Sequence, residues 1–369
     1  MTAESTTLNP DPAIFGTIRD DLRRGDFGRT VRRDIRELKE YMLEEERQKQ
    51  LKEMTGVWRW FVLTWWLLKS MFFKLTPTRR LLLVAGLLLF HFSQSVDFTP
   101  GDITLRLNTD VLSFMVILFV LMLELKDKLV AHDELRAGRA VQQALMPESK
   151  PIVSGWELWL FTRSANEVGG DLVDFMKIAI DRCGIAIGDV AGKGLSAALL
   201  TAKLQATLRA LVADFTSLAG LGAKLNRIFC RDSLRNIFAS LVYLELVPDS
   251  GSVRLVNAGH IPPVIMSGGK VQKTEKGSVA LGIMPEAEFE EHRLELKGGD
   301  TLLVYSDGLT EAQNPRAEFF GEQRLLELLP RLNGLSAEQM GVRLVSEVDV
   351  FVGEGRAHDD LSIVVLKKT

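Results

Sequence analysis

Cys183-Gly184-Ile185-Ala186-Ile187-Gly188-Asp189-Val190-Ala191-Gly192-Lys193-Gly194-Leu195 is the stretch on which the fold turns. Cys183 to Gly188 is a short apolar run of the kind that makes a buried strand. Asp189 comes where that strand ends. Gly192-Lys193-Gly194 then permits a tight backbone turn near an ion or a phosphate, and a helical stretch runs from Leu195 to Leu211. The order puts a carboxylate at the rim of a sheet, beside a turn that can also offer carbonyl oxygens. It is not a P-loop: only three residues separate Gly188 from Gly192, and Gly194 stands where that motif needs Ser or Thr.

The same arrangement recurs along the chain. Thr301 to Tyr305 is another buried strand and ends at Ser306-Asp307-Gly308. His358-Asp359-Asp360 precedes the strand-like run Leu361 to Leu366. Glu167-Val168-Gly169-Gly170-Asp171 leads into Leu172-Val173-Asp174-Phe175-Met176. Each signal is weak by itself, because Asp-Gly is ordinary turn chemistry and an acidic pair before a strand is often a solvated turn. Four in one region change the reading. Carboxylates gathered in one place repel, and a fold keeps them together when cations neutralise them. Hard divalent ions such as Mg²⁺ or Mn²⁺ prefer oxygen ligands. The expectation is a binuclear metal site that performs hydrolysis.

The ordered set Glu-Val-Gly-Gly-Asp171, Gly-Asp189-Val-Ala-Gly-Lys-Gly-Leu-Ser-Ala-Ala, Asn257-Ala-Gly-His260, Ser-Asp307-Gly-Leu-Thr-Glu and His-Asp359-Asp-Leu-Ser resembles the metal-dependent serine/threonine protein phosphatase (PPM) superfamily. Its nearest likeness is to the bacterial branch of stage II sporulation and stress-response phosphatases. Arg139-Ala-Val-Gln-Gln-Ala-Leu-Met-Pro147 also looks like the helix that precedes this domain in the family. The match covers roughly residues 140–368. The resemblance implies an α/β fold, a PPM-type sandwich of two antiparallel β-sheets flanked by helices. It implies two Mn²⁺ or Mg²⁺ ions bridged by Asp189. Asp307 and Asp359 would complete one ion's protein ligands, and Asp171 with the Val190 carbonyl would serve the other. Asp189 and Asp307 are the catalytic pair on this reading. Asp360 is the lesser candidate of its doublet, and Glu167 would stand behind the ligands. A water between the two cations would lose its proton and attack phosphorus in line, so no side-chain nucleophile is needed. Asn257-Ala-Gly-His260, followed by Pro262-Pro263, is read as a structural turn. Lys193 is read equally as a phosphate contact or a solvated side chain, and Arg163 as a weaker phosphate contact.

Composition sets limits on the rest. The chain has 369 residues, long enough for two or more units, and a net charge of −3 that gives no signal for nucleic acid. Two cysteines, Cys183 and Cys230, cannot form a disulfide framework and read as small buried hydrophobes. No pair of the five histidines has a zinc-ligand spacing. The polar start shows no signal peptide.

The N-terminal half reads as an all-α membrane-associated region. Residues 1–56 form a polar cytosolic region with a charged helix over 29–54. In 57–75, Arg59, Lys69, Ser70 and Lys74 fall on one side of a helix otherwise filled by Trp and Phe, as in a helix lying in a membrane interface. Leu81 to Val96 and Val111 to Leu123 form a two-helix transmembrane hairpin, although each run is shorter than the roughly 20 residues that span hydrocarbon comfortably. Arg79, Arg80, Lys126 and Lys128 flank its outer ends, which places both ends in the cytoplasm. The hairpin closes a segment 57–125. Residues 126–150 are a helical connector that can pair with a second copy in a homodimer, and 151–369 is the phosphatase domain. The expected protein is a multi-pass protein of the bacterial inner membrane, with its catalytic domain facing the cytoplasm. It would act on a phosphorylated signalling protein, by resemblance an anti-sigma-factor antagonist of a partner-switching pathway. Two other readings stay open. One is a catalytically inactive phosphatase fold that only binds a partner. The other is a nucleotide cyclase, on the strength of Gly169-Gly170-Asp171, which leaves the acidic positions at 189, 307 and 359 unexplained. A soluble helical sensor is the competing reading of residues 57–123.

Overall fold

The structure is a computed structural model. It describes residues 56–92, 95–98, 105–234, 236–353, 355 and 357–369, with isolated positions 43, 47, 50, 51 and 54. The polar region expected over 1–56 lies otherwise outside the described residues. The chain divides into two compact units, residues 1–128 and 129–369.

In the first unit, α1 (Gly56–Lys74) ends just before Pro77, which opens α2 (Pro77–His91) from within its first turn. Two short strands follow, β1 (Ser95–Phe98) and β2 (Leu105–Asn108), paired antiparallel. Helix α3 spans Thr109–Leu145. The second apolar run and the connector are therefore one helix, with no element boundary at 125. Residues 124–137 contain neither Gly nor Pro, and Pro147 is the next proline after Pro100. Helices α2 and α3 pack antiparallel. Ser113 Oγ donates to Gly86 O at 2.6 Å, and Arg79 reaches Glu124 Oε1 and Asp127 Oδ2, each at 2.6 Å. A Cβ at Gly86 would come within 3.0 Å of Ile117 Cγ1, so the small residue sets how closely the helices approach. Their other faces carry exposed apolar side chains, among them Leu81, Leu88, Phe90, Phe114, Phe119 and Met122.

Among the described residues, one helical stretch is long and apolar enough to cross a membrane, Leu195–Asp214. It belongs to the second unit, and Ala197, Leu204, Leu208 and Val212 on it are buried in a core cluster. Helix α2, at 15 residues, is about 22 Å long at 1.5 Å per residue.

The second unit is a four-layer sandwich. One sheet has the order β10-β7-β6-β5-β4 and the other β3-β12-β11-β8-β9, and neighbours within each are antiparallel. The strands are β3 (Trp156–Arg163), β4 (Asp171–Ala179), β5 (Arg182–Val190), β6 (Ala239–Leu246), β7 (Ser252–Ala258), β8 (Val264–Ser267), β9 (Lys270–Lys273), β10 (Glu291–Glu295), β11 (Thr301–Tyr305) and β12 (Leu361–Lys368). Alternation along the strands assigns the faces. Val173, Ile185, Ile187, Val242 and Leu244 point inward against Leu158, Leu302, Val304, Val364 and Leu366 of the opposite sheet. The alternate residues of the first sheet, including Leu172, Ala186 and Tyr243, pack under α4 (Leu195–Leu211) and α5 (Leu218–Asp232). Those of the second, including Trp159, Leu303 and Ile363, are covered by α7 (Glu322–Leu328) and α8 (Ala337–Val352), the latter begun by a capping box of Ser336 and Gln339. A short α6 (Asp307–Thr310) follows β11. Cys183 is buried between the sheets, and Cys230 is half-buried on α5.

Candidate metal centre

The inward rows of both sheets are apolar until one end of the sandwich, where they become polar together. On the first sheet, Asp171 opens β4 two residues before Val173, and Asp189 lies two residues after Ile187 near the end of β5. The two face each other directly in the β4–β5 register. Side chains so paired have Cβ atoms about 4.5–5.5 Å apart, and like charges there are destabilising. On the second sheet, Ser306 stands at the start of α6 just ahead of Asp307, and Asp359-Asp360 leads into β12.

Hydrogen bonds tie the two edges together. Ser362 Oγ donates to Asp171 Oδ2 at 2.5 Å and lies 2.8 Å from Thr162 Oγ1. Ser306 Oγ donates to Asp360 O at 3.1 Å, and Ser306 N donates to Ser362 O at 2.9 Å. The Asp360 carboxylate is taken up by backbone: Oδ1 accepts from Ala165 N at 2.8 Å, and Oδ2 from Gly170 N at 2.6 Å and Asp171 N at 3.4 Å. It thereby holds the loop that carries Asp171. Its neighbour Asp359 is half-exposed, 3.9 Å from the exposed Lys193 Nζ. Gly170 O accepts from Thr201 Oγ1 of α4 at 2.6 Å and from Val190 N at 3.2 Å.

The electrostatics follow from this crowding. Burial, and then the charges of Asp307, Asp359 and Asp360, push the Asp189 carboxyl up to about 7. Burial also holds the Asp171 carboxyl well above the usual range, with Asp189 and Asp360 adding to it and the Ser362 bond opposing. Asp307 is raised by burial and by Asp359 and Glu311. Among the described residues, Lys193 opposes this rise at Asp189.

An oxygen-only donor set of this kind fits hard divalent ions. Gly170 adds a second reason. A Cβ there would lie 2.9 Å from Val190 O and 3.2 Å from Asp189 Oδ1, so the missing side chain leaves a cradle walled by a carbonyl and a carboxylate oxygen. Among the described residues no three His, Cys, Asp or Glu side chains converge closely enough to hold an ion as they stand.

The remaining candidates are placed as follows. Glu167 lies 3.6 Å from Arg139 and 4.0 Å from His132. Arg163 makes a two-pronged ion pair with Asp349, at 3.1 and 2.6 Å. Lys193 Nζ donates to His358 O at 3.1 Å. Asn257 grips the backbone of His260, accepting from its N–H at 2.9 Å and donating to its carbonyl at 3.1 Å. The His260 ring is buried, which lowers its pKa to about 4, and its Nδ1 is 2.8 Å from Ser240 Oγ. Sequence reasoning did not single out Ser362, Thr201 or Gln142. Ser362 was legible in principle as the inward residue following the acidic doublet. The other two sit on helices distant along the chain.

Two five-stranded antiparallel sheets, helices on both outer faces and carboxylates at one end of the sandwich define the PP2C-type phosphatase fold. The structure superposes on the SiaA-PP2C domain of Pseudomonas aeruginosa with a TM-score of 0.57 at 19% identity, covering 66% of this chain and 99% of that domain. The chain belongs to the stage II sporulation protein E (SpoIIE) family, whose model matches residues 180–369. It is 31% identical to protein IcfG of Synechocystis sp. over 234 residues, which is 56% of this chain but 37% of IcfG. It is 24% identical to phosphoserine phosphatase RsbU of Bacillus subtilis over 237 residues, 64% of this chain and 70% of RsbU.

Proposed function

We propose that this chain is a membrane-anchored, metal-dependent protein phosphatase that hydrolyses phosphoserine or phosphothreonine on a bacterial signalling protein. The observation that carries the reading is that Asp171 and Asp189 of one sheet and Asp307 and Asp359 of the other lie at the same end of the sandwich, near enough to raise one another's carboxyls. Two Mn²⁺ or Mg²⁺ ions, when bound, supply an acidified water and a clamp on the phosphoryl oxygens. The chain's own residues do the rest. Asp189, Asp307 and Asp359 would hold one ion, and Asp171 and Asp189 with the Val190 carbonyl would hold the other. Ser362 and Asp360 fix Asp171 and the loop before it, so the acidic face is set in advance of substrate. Lys193 is exposed beside Asp359 and would have to leave the His358 carbonyl to meet an incoming phosphate.

The likeness to RsbU, a phosphoserine phosphatase, supports a serine monophosphate as substrate. An anti-sigma-factor antagonist is the substrate that the bacterial branch implies. Incubating the full chain with Mn²⁺ and a phosphoserine peptide is expected to release phosphate, to stop with EDTA and to resume with excess Mn²⁺. GTP turnover without peptide hydrolysis would instead support the cyclase. Metal-dependent hydrolysis of neither substrate would leave a binding module.

Membrane anchoring rests on the first unit. Helices α2 and α3 pair antiparallel and still expose Leu, Phe and Met side chains on their outer faces, and Arg79, Arg80, Lys126 and Lys128 gather at one end. The protein is expected to stay in the pellet after alkaline carbonate washing, and a released soluble pool would defeat the anchor. The exposed Leu129, Val130 and Val141 of α3 support pairing with a second copy.

A further inference from the structure

We propose that Gln142, on α3, is a positioning residue for the acidic centre: it holds the Gly169 backbone so that Gly170 and Asp171 stay in place opposite Asp189 and Val190. The inference rests on the phosphatase reading for its consequence, and on geometry for its substance. Gln142 Nε2 donates to Gly169 O at 2.9 Å, and Gly169 N donates to Gln142 Oε1 at 3.1 Å. One side-chain amide thus satisfies both backbone groups of one residue, as a neighbouring strand would.

Gly169 is pressed from the other side as well. A Cβ there would lie 2.4 Å from Asp360 Oδ2 and 2.6 Å from Ser164 Oγ, so no side chain could stiffen this position. Two successive glycines are loose in an unrestrained chain, and what holds them comes from outside the loop. Asp360 fixes Gly170 N, Thr201 fixes Gly170 O, and Gln142 alone fixes both polar groups of Gly169. Gln142, Leu145 and Met146 also line a narrow crevice together with Thr201, Gln205 and Asp171, so the end of α3 reaches the acidic residue's own surroundings. Gln205 Nε2 donates to Leu145 O at 3.0 Å and anchors that end of the helix on α4. The Arg139–Glu167 pair nearby is half-exposed and adds little.

The consequence is specific. Without the clamp the metal-free loop samples positions from which Asp171 and the Val190 carbonyl no longer face one ion, and the apparent metal affinity falls by the fraction of time so spent. At saturating metal the ion itself restores the loop.

The test compares Gln142→Ala and Gln142→Glu with the wild type in the full chain, kept in mild detergent, and with Gln143→Ala, the exposed next residue, as control. Three quantities are read: the Mn²⁺ dissociation constant from the electron paramagnetic resonance of free Mn²⁺, hydrogen exchange of residues 165–171 in metal-free protein, and phosphopeptide turnover at saturating Mn²⁺. Gln142→Ala is expected to raise the dissociation constant about tenfold and to speed exchange in that segment alone, with turnover at saturating Mn²⁺ within about twofold of wild type. Gln142→Glu should act in the same direction, because a carboxylate accepts from Gly169 N–H but cannot donate to its carbonyl. Unchanged exchange over 165–171 in Gln142→Ala would overturn the proposal, as would faster exchange spread evenly over the whole domain. A wild type that releases no phosphate would defeat the phosphatase reading and leave the exchange result to decide this one.

Discussion

Asp189→Asn is expected to lower phosphopeptide turnover on the order of a thousandfold or more while making the metal-free protein more stable at alkaline pH. The first effect follows from its place between the proposed ions. The second follows from burial first and crowding next: burial pushes its carboxyl upward, and Asp307, Asp359 and Asp360 add to it. Its ordinary value is 3.8, and the folded value is about 7. A carboxyl raised on folding binds its proton more tightly in the native state. Stability of the metal-free protein is therefore greatest below about pH 4 as far as this group is concerned, and declines as pH rises through about 7. Above that, ionised Asp189 costs roughly 2–4 kcal/mol, the lower figure allowing for its partial exposure. Asn removes the cost. Melting in EDTA should give Asp189→Asn the higher Tm at pH 8 and nearly the same Tm as wild type at pH 4.5. Mn²⁺ should raise the wild-type Tm at pH 8 and leave the variant almost unmoved. A variant less stable than wild type at pH 8 without metal would contradict the repulsion argument. Retained turnover would contradict the catalytic one.

Gly308→Ala should be the most damaging single methyl in the second unit. A Cβ at Gly308 would lie 2.0 Å from Asp360 O and 2.8 Å from Asp360 C, both backbone atoms, so no side chain can swing aside. The strands must part instead, at the point where Ser306 N meets Ser362 O and Ser306 Oγ meets Asp360 O. That parting draws Asp307 away from Asp359. A loss of about 3 kcal/mol or more is expected, a fall in Tm of roughly 10 °C for a unit of this size, together with weakened Mn²⁺ binding. Gly298→Ala is the control, since its nearest neighbours lie 3.9 and 4.0 Å away. Equal melting temperatures for the two variants would refute the close-approach argument.

What could be read from the amino acids differs by kind of feature. The acidic strand ends were legible because each is local: an apolar run, an aspartate, then a turn. Their gathering at one rim was an expectation from chemistry, and the β4–β5 register places two of them opposite each other. The division of labour within Asp359-Asp360 was only half legible. That Asp360 takes three backbone N–H groups depends on a loop about 190 residues earlier in the chain. Gln142 was invisible for the same reason, being one polar residue among helix formers until folding sets it against Gly169. The border expected near residue 125 falls inside an unbroken helix, although the two compact units divide close by, at 128/129. A change from apolar to charged residues marks a change of surroundings, and helical backbone passes through it unbroken when neither glycine nor proline intervenes.

The order of strands in the second sheet has a consequence for biosynthesis. Among the described strands β3 pairs only with β12, Trp156 facing Lys368 and Arg163 facing Leu361, across some two hundred residues. While a ribosome is still making the chain, β3 has no edge to dock against, and β11 shows an open flank until Leu361–Lys368 leaves the exit tunnel. Contacts so distant along the chain form slowly, and an unpaired flank invites aggregation. Asp359 arrives with that same late segment. The acidic rim of the nascent polypeptide is thus incomplete until Leu361–Lys368 zips the sheet shut.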